Sequence, residues 1–231
     1  MLELVQQSLP RLMSGLLLTM VLTGLSALVG FHLGLGLALM RLSGHRLAAG
    51  LAKGYSTLFR GTPLLVQLFL FYYGLGEFQF IRDNPVLWWL FSEGSRCAVL
   101  ALALNTAAYT SEILRGGLMS VPAGVTEAAQ ACGMSKWLAF RRIIFPLAIR
   151  QALPAYGNEL ILISKGSSLA STVTVLELTG HAKRLMSQTY AIFEVFAIAG
   201  AIYLLFNLAL TGAIRLLEAR LMQHKRPLPT T

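Results

Sequence analysis

The sequence predicts an all-α membrane protein with five transmembrane helices, its N-terminus on the outer, periplasmic side and its C-terminus in the cytoplasm. Three observations carry that expectation. Of 231 residues, 55% are hydrophobic and only 13% are charged, whereas a soluble domain carries roughly 25% charged residues; the mean hydropathy is +0.65. Five apolar stretches follow one another along the chain, each near the roughly 20 residues needed to cross the hydrocarbon of a bilayer. The connections between them are alternately rich and poor in Lys and Arg, as the positive-inside rule requires.

The first stretch lies at 14–40. Residues 12–40 contain no Asp, Glu, Lys or Arg, a run well beyond the roughly 7–15 apolar residues of a secretory signal, so a membrane span is expected rather than a cleavable leader. Its Gly30-x-x-x-Gly34 pattern lets helices approach closely, and packing within the chain is the favoured use over a contact between subunits. His32 is the odd residue of this span, either bonded to a neighbouring helix or facing a path through the protein. The second stretch, 57–76, closes on Gly74 and Gly76 beside Tyr72 and Tyr73, and Trp88 and Trp89 follow in the next connection; these aromatics suit the two interfaces of a membrane. The third, fourth and fifth stretches lie at 97–114, 152–172 and 190–214. Helices are the default for all five, because backbone polar groups in lipid must be paired internally, and none shows the alternating polarity of a barrel strand. The resulting organisation is a transmembrane domain at 12–217, with a long connection at 115–150, and a tail at 218–231.

Charge sets the orientation. The connection 41–56 holds Arg41, Arg46 and Lys53, with Arg60 just beyond; 115–150 holds Arg115, Lys136, Arg141, Arg142 and Arg150 against Glu127 alone; the tail holds Arg215, Arg220, Lys225 and Arg226 against Glu218. The connection 77–96 offsets Arg82 and Arg96 with Glu77, Asp83 and Glu93, and 173–189 has Lys183 and Arg184 against Glu177. The three basic segments belong in the cytoplasm. The net charge of +9 is thereby accounted for by loops, and nucleic acid is not an expected partner.

No catalytic constellation is visible. There is no Gly-Lys dipeptide, hence no Walker A loop, so any ATP that drives the protein binds another polypeptide. His32, His45, His181 and His224 lack metal-ligand spacing, and no metal site is expected. Cys97 and Cys132 read as small apolar packing residues at different depths. Ionisable groups within spans are more informative, since one at a helix centre costs about 2.5–3.5 kcal/mol on insertion scales and faces the bundle interior or water. Glu159 and Lys165 lie in the fourth span and Glu112 near the inner end of the third. Glu112 and Glu159 are candidates for lining a path for a cationic or zwitterionic solute; the alternatives are an i,i+3 pair of Glu112 with Arg115, which is the favoured one, and pairing of Glu159 with a basic residue on another helix. Lys165-Gly166-Ser167-Ser168-Leu169 interrupts the fourth span, where Gly and hydroxyls loosen a helix.

The segment 127–146, EAAQACGMSKWLAFRRIIFP, is a polar, basic, helix-favouring island in this apolar chain. Its apolar positions Ala128, Ala131, Cys132, Trp137, Leu138 and Ile144 fit a helical hairpin. Pro122 suits a helix start. A first helix is expected over Thr126–Cys132 with Glu127 in its first turn, then a turn at Gly133, a Ser135 N-cap, a second helix over Lys136–Ile144, and a stop at Pro146.

This segment resembles the EAA loop of permease subunits of binding-protein-dependent ABC importers: Glu-Ala-Ala, three residues, Gly, nine residues, then Ile-x-Leu-Pro. Glu127, Ala128, Ala129, Gly133, Ile143 and Pro146 match, and Phe145 replaces the Leu. FRGTPLLVQLFLFYYG at 59–74, NTAAYTSEILRGGLMSVP at 105–122 and LPAYGNE at 153–159 extend the likeness to the polar amino-acid branch, most of all to permeases for histidine, lysine, arginine, ornithine and opines. The resemblance implies a type I ABC importer permease fold in a bacterial inner membrane. Implied partners are an ABC ATPase dimer, which holds the ATP and Mg²⁺ while this chain holds no cofactor, a periplasmic solute-binding protein, membrane lipid, and a second permease, a paralogue or another copy of this chain. It also implies that the six matched residues dock on the ATPase and that Ser167 and Ser168, in a Lys-x-Ser-Ser-Leu stretch, lie on the translocation side, with intrahelical hydroxyl bonding as the alternative. An ion-coupled secondary amino-acid carrier is the competing class, but it calls for internal repeats and midplane ion sites, and a membrane enzyme calls for a nucleophile–base or metal cluster; none of these is visible.

Overall fold

The computed structural model describes the backbone of residues 2–222 and the side chains of residues 8–221. The tail residues His224, Lys225 and Arg226 therefore lie outside the described residues. Among the described residues every regular element is helical: α1 (Leu2–Leu42), α2 (Arg46–Gly61), α3 (Leu64–Phe69), α4 (Gln79–Asp83), α5 (Pro85–Phe91), α6 (Gly94–Met119), α7 (Ala123–Ala131), α8 (Lys136–Ala139), α9 (Phe145–Gly166), α10 (Leu178–Thr189) and α11 (Ile192–Met222). Short π and 3₁₀ turns extend α3 through Glu77, join α8 to α9 over Phe140–Ile144, and follow α9 over Ser167–Val173. Three stretches, Ser8–Leu42, Gly94–Met119 and Ile192–Leu221, are long and apolar enough to cross a membrane singly. Two bent pairs bring the candidates to as many as five.

α6 is the axis of the bundle, in contact with α1, α2, α3 and α9. Its buried face is built from Ala98, Ala101, Ala103, Ala107 and Ala108. In lipid there is little hydrophobic drive between helices, so small residues that let backbones close up supply the packing. Gly30 and Gly34 of α1 face this surface: a Cβ on either would stand 3.0 Å from the carbonyl oxygen of Ala103 or Ala107. The glycine pattern is thus used within the chain. The contacts also fix direction. Ser26 meets Val99 and Arg41 meets Glu112, so α1 and α6 run parallel. Thr106 meets Glu159, and Gly117 lies against Ala148, so α9 runs antiparallel to α6.

Two bent segments depart from the sequence expectation. The stretch 57–76 is not one straight helix; α2 and the α3 segment meet at 102°. Pro63 lacks an N–H and disfavours helical backbone at Thr62, which takes ψ 143°. The carbonyls freed by the break are collected by one side chain: Gln67 Nε2 donates to the oxygens of Phe59 at 2.8 Å and of Thr62 at 3.1 Å. Asn105 of α6 adds a second bond to Phe59 O at 3.2 Å and one to Gln67 Oε1 at 3.0 Å. At the other break, Lys136–Val173 and α10 are bent by 47°, with Thr174 left-handed at φ 65°. The connections expected at 41–56, 77–96 and 173–189 are largely helical, as α2, α4, α5 and α10.

Candidate functional site: a helical hairpin and an interhelical cleft

α7 and α8 form the hairpin expected between Pro122 and Pro146, with shifted limits. α7 begins at Ala123, so Glu127 sits past its first turn and not in it. Helix α7 ends in a left-handed glycine: Gly133 has φ +77°, its N–H donates to Gln130 O at 2.9 Å and that of Met134 to Ala129 O at 3.1 Å. This closes the last turn as a glycine C-cap does. Ser135 caps α8 by accepting from Leu138 N–H at 3.3 Å. Pro146 does not end the second helix. Helical backbone runs on from α8 through the π turn into α9, with Pro146 in the first turn of α9; there the missing N–H is least missed.

The six motif residues divide by exposure. Ala129 is buried in the hairpin, as is Ala139 opposite, Ile143 is half-buried, and Glu127, Ala128, Gly133 and Pro146 are exposed. Beside them stand Trp137, 69% exposed and stacked on Phe140 at 5.9 Å, and the exposed Arg141 and Arg142. Chemically this is a stiff knob with an acidic group on one arm and basic and aromatic groups on the other.

The charged residues within spans do not form one cluster. Glu112 accepts from Arg41 of α1, pairs with Arg115 at 3.0 Å one turn on, and lies 3.7 Å from Arg60 of α2. The i,i+3 pair expected from sequence is present, and two further arginines join it. Arg60 also lies 5.3 Å from the centre of the Tyr109 ring. Glu159, buried in α9, accepts from the Thr106 hydroxyl; no salt bridge to it occurs among the described residues. It is about 9 Å from Glu112 along α6, counting six residues at the helical rise from Thr106. His32 bonds the Leu28 carbonyl of its own helix at 2.8 Å.

Ser167 is buried and donates to Ser164 O at 2.7 Å; Ser168 donates to Lys165 O at 2.7 Å. Ser168 also lines a mostly apolar cavity of about 390 Å³ between α9 and α11, where Lys165, Tyr203, Asn207 and Thr211 stand among Ile161, Leu204 and Leu208. Asn207 Oδ1 is buried there without a hydrogen-bond partner. Lys165 is exposed, and no salt bridge to it occurs among the described residues. Sequence reasoning missed Asn207 and Thr211, although a polar residue every fourth position in an apolar span is a readable signal. It also missed Glu177, fully buried at the head of α10.

The chain is 52% identical over 224 residues to the nopaline transport system permease protein NocM of Agrobacterium fabrum, covering 97% of this chain and 93% of that one. It is 38% identical over 221 residues to the arginine ABC transporter permease protein ArtM of Haemophilus influenzae, covering 96% of each. Among solved structures, an amino acid ABC transporter crystallised with histidines matches at 39% identity and a TM-score of 0.82, covering 95% of this chain and 97% of that one. The inward-facing MetNI methionine transporter, at 19% identity and a TM-score of 0.72, shares the fold. The profile of one family matches residues 30–223, and the chain belongs to that family, the binding-protein-dependent transport system inner membrane components.

Proposed function

We propose that the chain is the permease subunit of an ABC importer for polar amino acids, basic ones in particular, or opines. The observation that carries this is the capped hairpin at Ala123–Ile144, which continues as one helical rod into the buried core of α9. The backbone from α8 to Glu159 and the cavity beside Ser168 is helical throughout, by way of the π turn at Phe140–Ile144, Pro154 inside α9 and the 3₁₀ turn that begins at Ser167. The names of the relatives, which transport nopaline or arginine, support the solute class.

In this reading the chain crosses the inner membrane five times, N-terminus outside, and the hairpin faces the cytoplasm. It docks on one subunit of an ATPase dimer through Glu127, Ala128, Ala129, Gly133, Ile143 and Pro146. ATP and Mg²⁺ stay on that ATPase. A periplasmic binding protein delivers solute, and a second permease, a paralogue in preference to another copy, completes the path. Closing of the ATPase dimer shifts the populations of outward-open and inward-open states, which requires that hairpin contacts differ between the two. Ser168, beside the cavity, lines the path from α9; Glu159 and Ser167, buried in this state, reach it as the helices shift; Glu112, held by its arginines, borders its inner end.

Gly133→Trp tests the coupling role. It strains a left-handed turn and puts bulk on the docking face. The chain is expected to insert normally while ATP-driven uptake is lost. Normal uptake would show that the hairpin is not the coupling element. Alanine at both Ser167 and Ser168 is expected to alter uptake and solute-stimulated ATPase; if neither changes, the serines do not line the path.

A further inference from the structure

α1, α5 and α6 enclose a second groove, of about 410 Å³, away from the hairpin and from the α9–α11 cavity. Its walls are apolar along most of its length: Leu18, Val21, Leu25 and Val29 from α1 and Val99 and Leu100 from α6. Val21, Leu25 and Val29 are 51%, 46% and 43% exposed. From Leu18 to Val29 the helix rises about 16 Å, which is the scale of an acyl chain in one leaflet. One end differs in character. Arg96, in the first turn of α6, lies with its guanidinium carbon 4.2 Å from the centre of the Trp89 ring and donates to the Trp89 carbonyl. Beside it Glu93 pairs with Arg96 at 2.7 Å, and the Glu93 side chain is 52% exposed.

A groove that is charged at its mouth and apolar below it matches an amphiphile in kind. Trp at the mouth places that end at headgroup level. The paired charges narrow the occupant. Arg presents a planar fork suited to phosphate oxygens, and an adjacent, half-exposed carboxylate offers an acceptor for an ammonium group. We propose that this groove binds one phospholipid with a phosphoethanolamine headgroup: its phosphate on Arg96, its ammonium on Glu93, and one acyl chain along Val21, Leu25 and Val29. The site depends on the chain lying in a bilayer and not on the transport reading.

The test uses the full-length chain purified in mild detergent, with phosphatidylethanolamine, phosphatidylglycerol and phosphatidylcholine of identical acyl chains as probes. Native mass spectrometry counts retained lipid. One phosphatidylethanolamine per chain is expected, retained in preference to the other two. Arg96→Gln is expected to weaken retention about tenfold, the loss of one charge-assisted contact. Glu93→Gln is expected to remove the preference for phosphatidylethanolamine over phosphatidylglycerol. Val21→Trp, at an exposed position, is expected to exclude lipid with Arg96 intact. The proposal is overturned if the wild-type chain retains no lipid, if all variants retain it equally, or if a photo-crosslinker at Leu25 captures a protein chain instead of a lipid.

Discussion

Glu177 has no exposed surface, and its carboxylate joins three helices at one point. It caps α10 by accepting from the N–H groups of Thr179 at 2.9 Å and Gly180 at 2.8 Å. It also accepts from the Tyr203 hydroxyl of α11 at 2.7 Å and the Thr19 hydroxyl of α1 at 3.3 Å. Glu177→Ala removes the cap, at about 1 kcal/mol, and breaks the links to α1 and α11, leaving the Thr19 hydroxyl the Gly15 carbonyl and the Tyr203 hydroxyl Thr179 Oγ1, at roughly a further 1 kcal/mol for each bond lost. A fall of several degrees in the thermal unfolding midpoint in detergent is expected, partly recovered in Glu177→Gln, whose amide oxygen still accepts. An unchanged midpoint in the alanine variant would remove Glu177 as the joint. The sequence displayed Glu127 and Gly133 through a spaced motif, but not Glu177. The residues that favour N-caps are Ser, Thr, Asp and Asn, and a Glu beside Leu-Thr-Gly gives no such signal. Its partners Thr19 and Tyr203 come from helices distant in sequence, which only the packing brings together.

The same division holds for whole elements. Apolar length alone located α1, α6 and α11, since bilayer thickness sets it. The break at Thr62–Pro63 was hidden because membrane helices tolerate Pro when neighbours satisfy the freed backbone, and the neighbours here are Gln67 and Asn105. Pro146 misled in the opposite sense, since a Pro ends one helix and begins another equally well, and the π turn before it lets the chain do the latter. Helix α10 was hidden by its polarity, because Lys183, Arg184 and Gln188 make it read as a connection. Replacing Gln67 by Leu keeps the volume but takes the amide from the Thr62 carbonyl and leaves the Phe59 carbonyl only the Asn105 amide, at about 1–3 kcal/mol in all. The variant is expected to unfold at a lower temperature and to be cleaved faster by protease near Thr62. If its stability and cleavage pattern match the wild type, the amide is not what holds the bend.

At the scale of the molecule, packing gives the relative directions of α1, α6 and α9, and the proposed side for each end is carried by the charge of the connections alone. The two native cysteines test it without added labels. Cys97 is fully buried and Cys132 is exposed at the turn of the hairpin. A membrane-impermeant maleimide is therefore expected to modify one thiol per chain in inside-out vesicles, none in sealed right-side-out vesicles, and none in either preparation of Cys132→Ser. Labelling from outside would invert the orientation and detach the hairpin from any cytoplasmic ATPase. The same thiol reads docking, because Cys132 precedes Gly133 on the face assigned to the partner. Adding the cognate ATPase to stripped inside-out vesicles is expected to slow its modification several-fold, in line with burial at an interface core. An undiminished rate, with the ATPase shown to be bound, would place the contact elsewhere on the chain. Solute accumulation against a gradient by vesicles without any ATPase would go further: it would make this bundle an ion-coupled carrier and leave the hairpin without a motor to answer to.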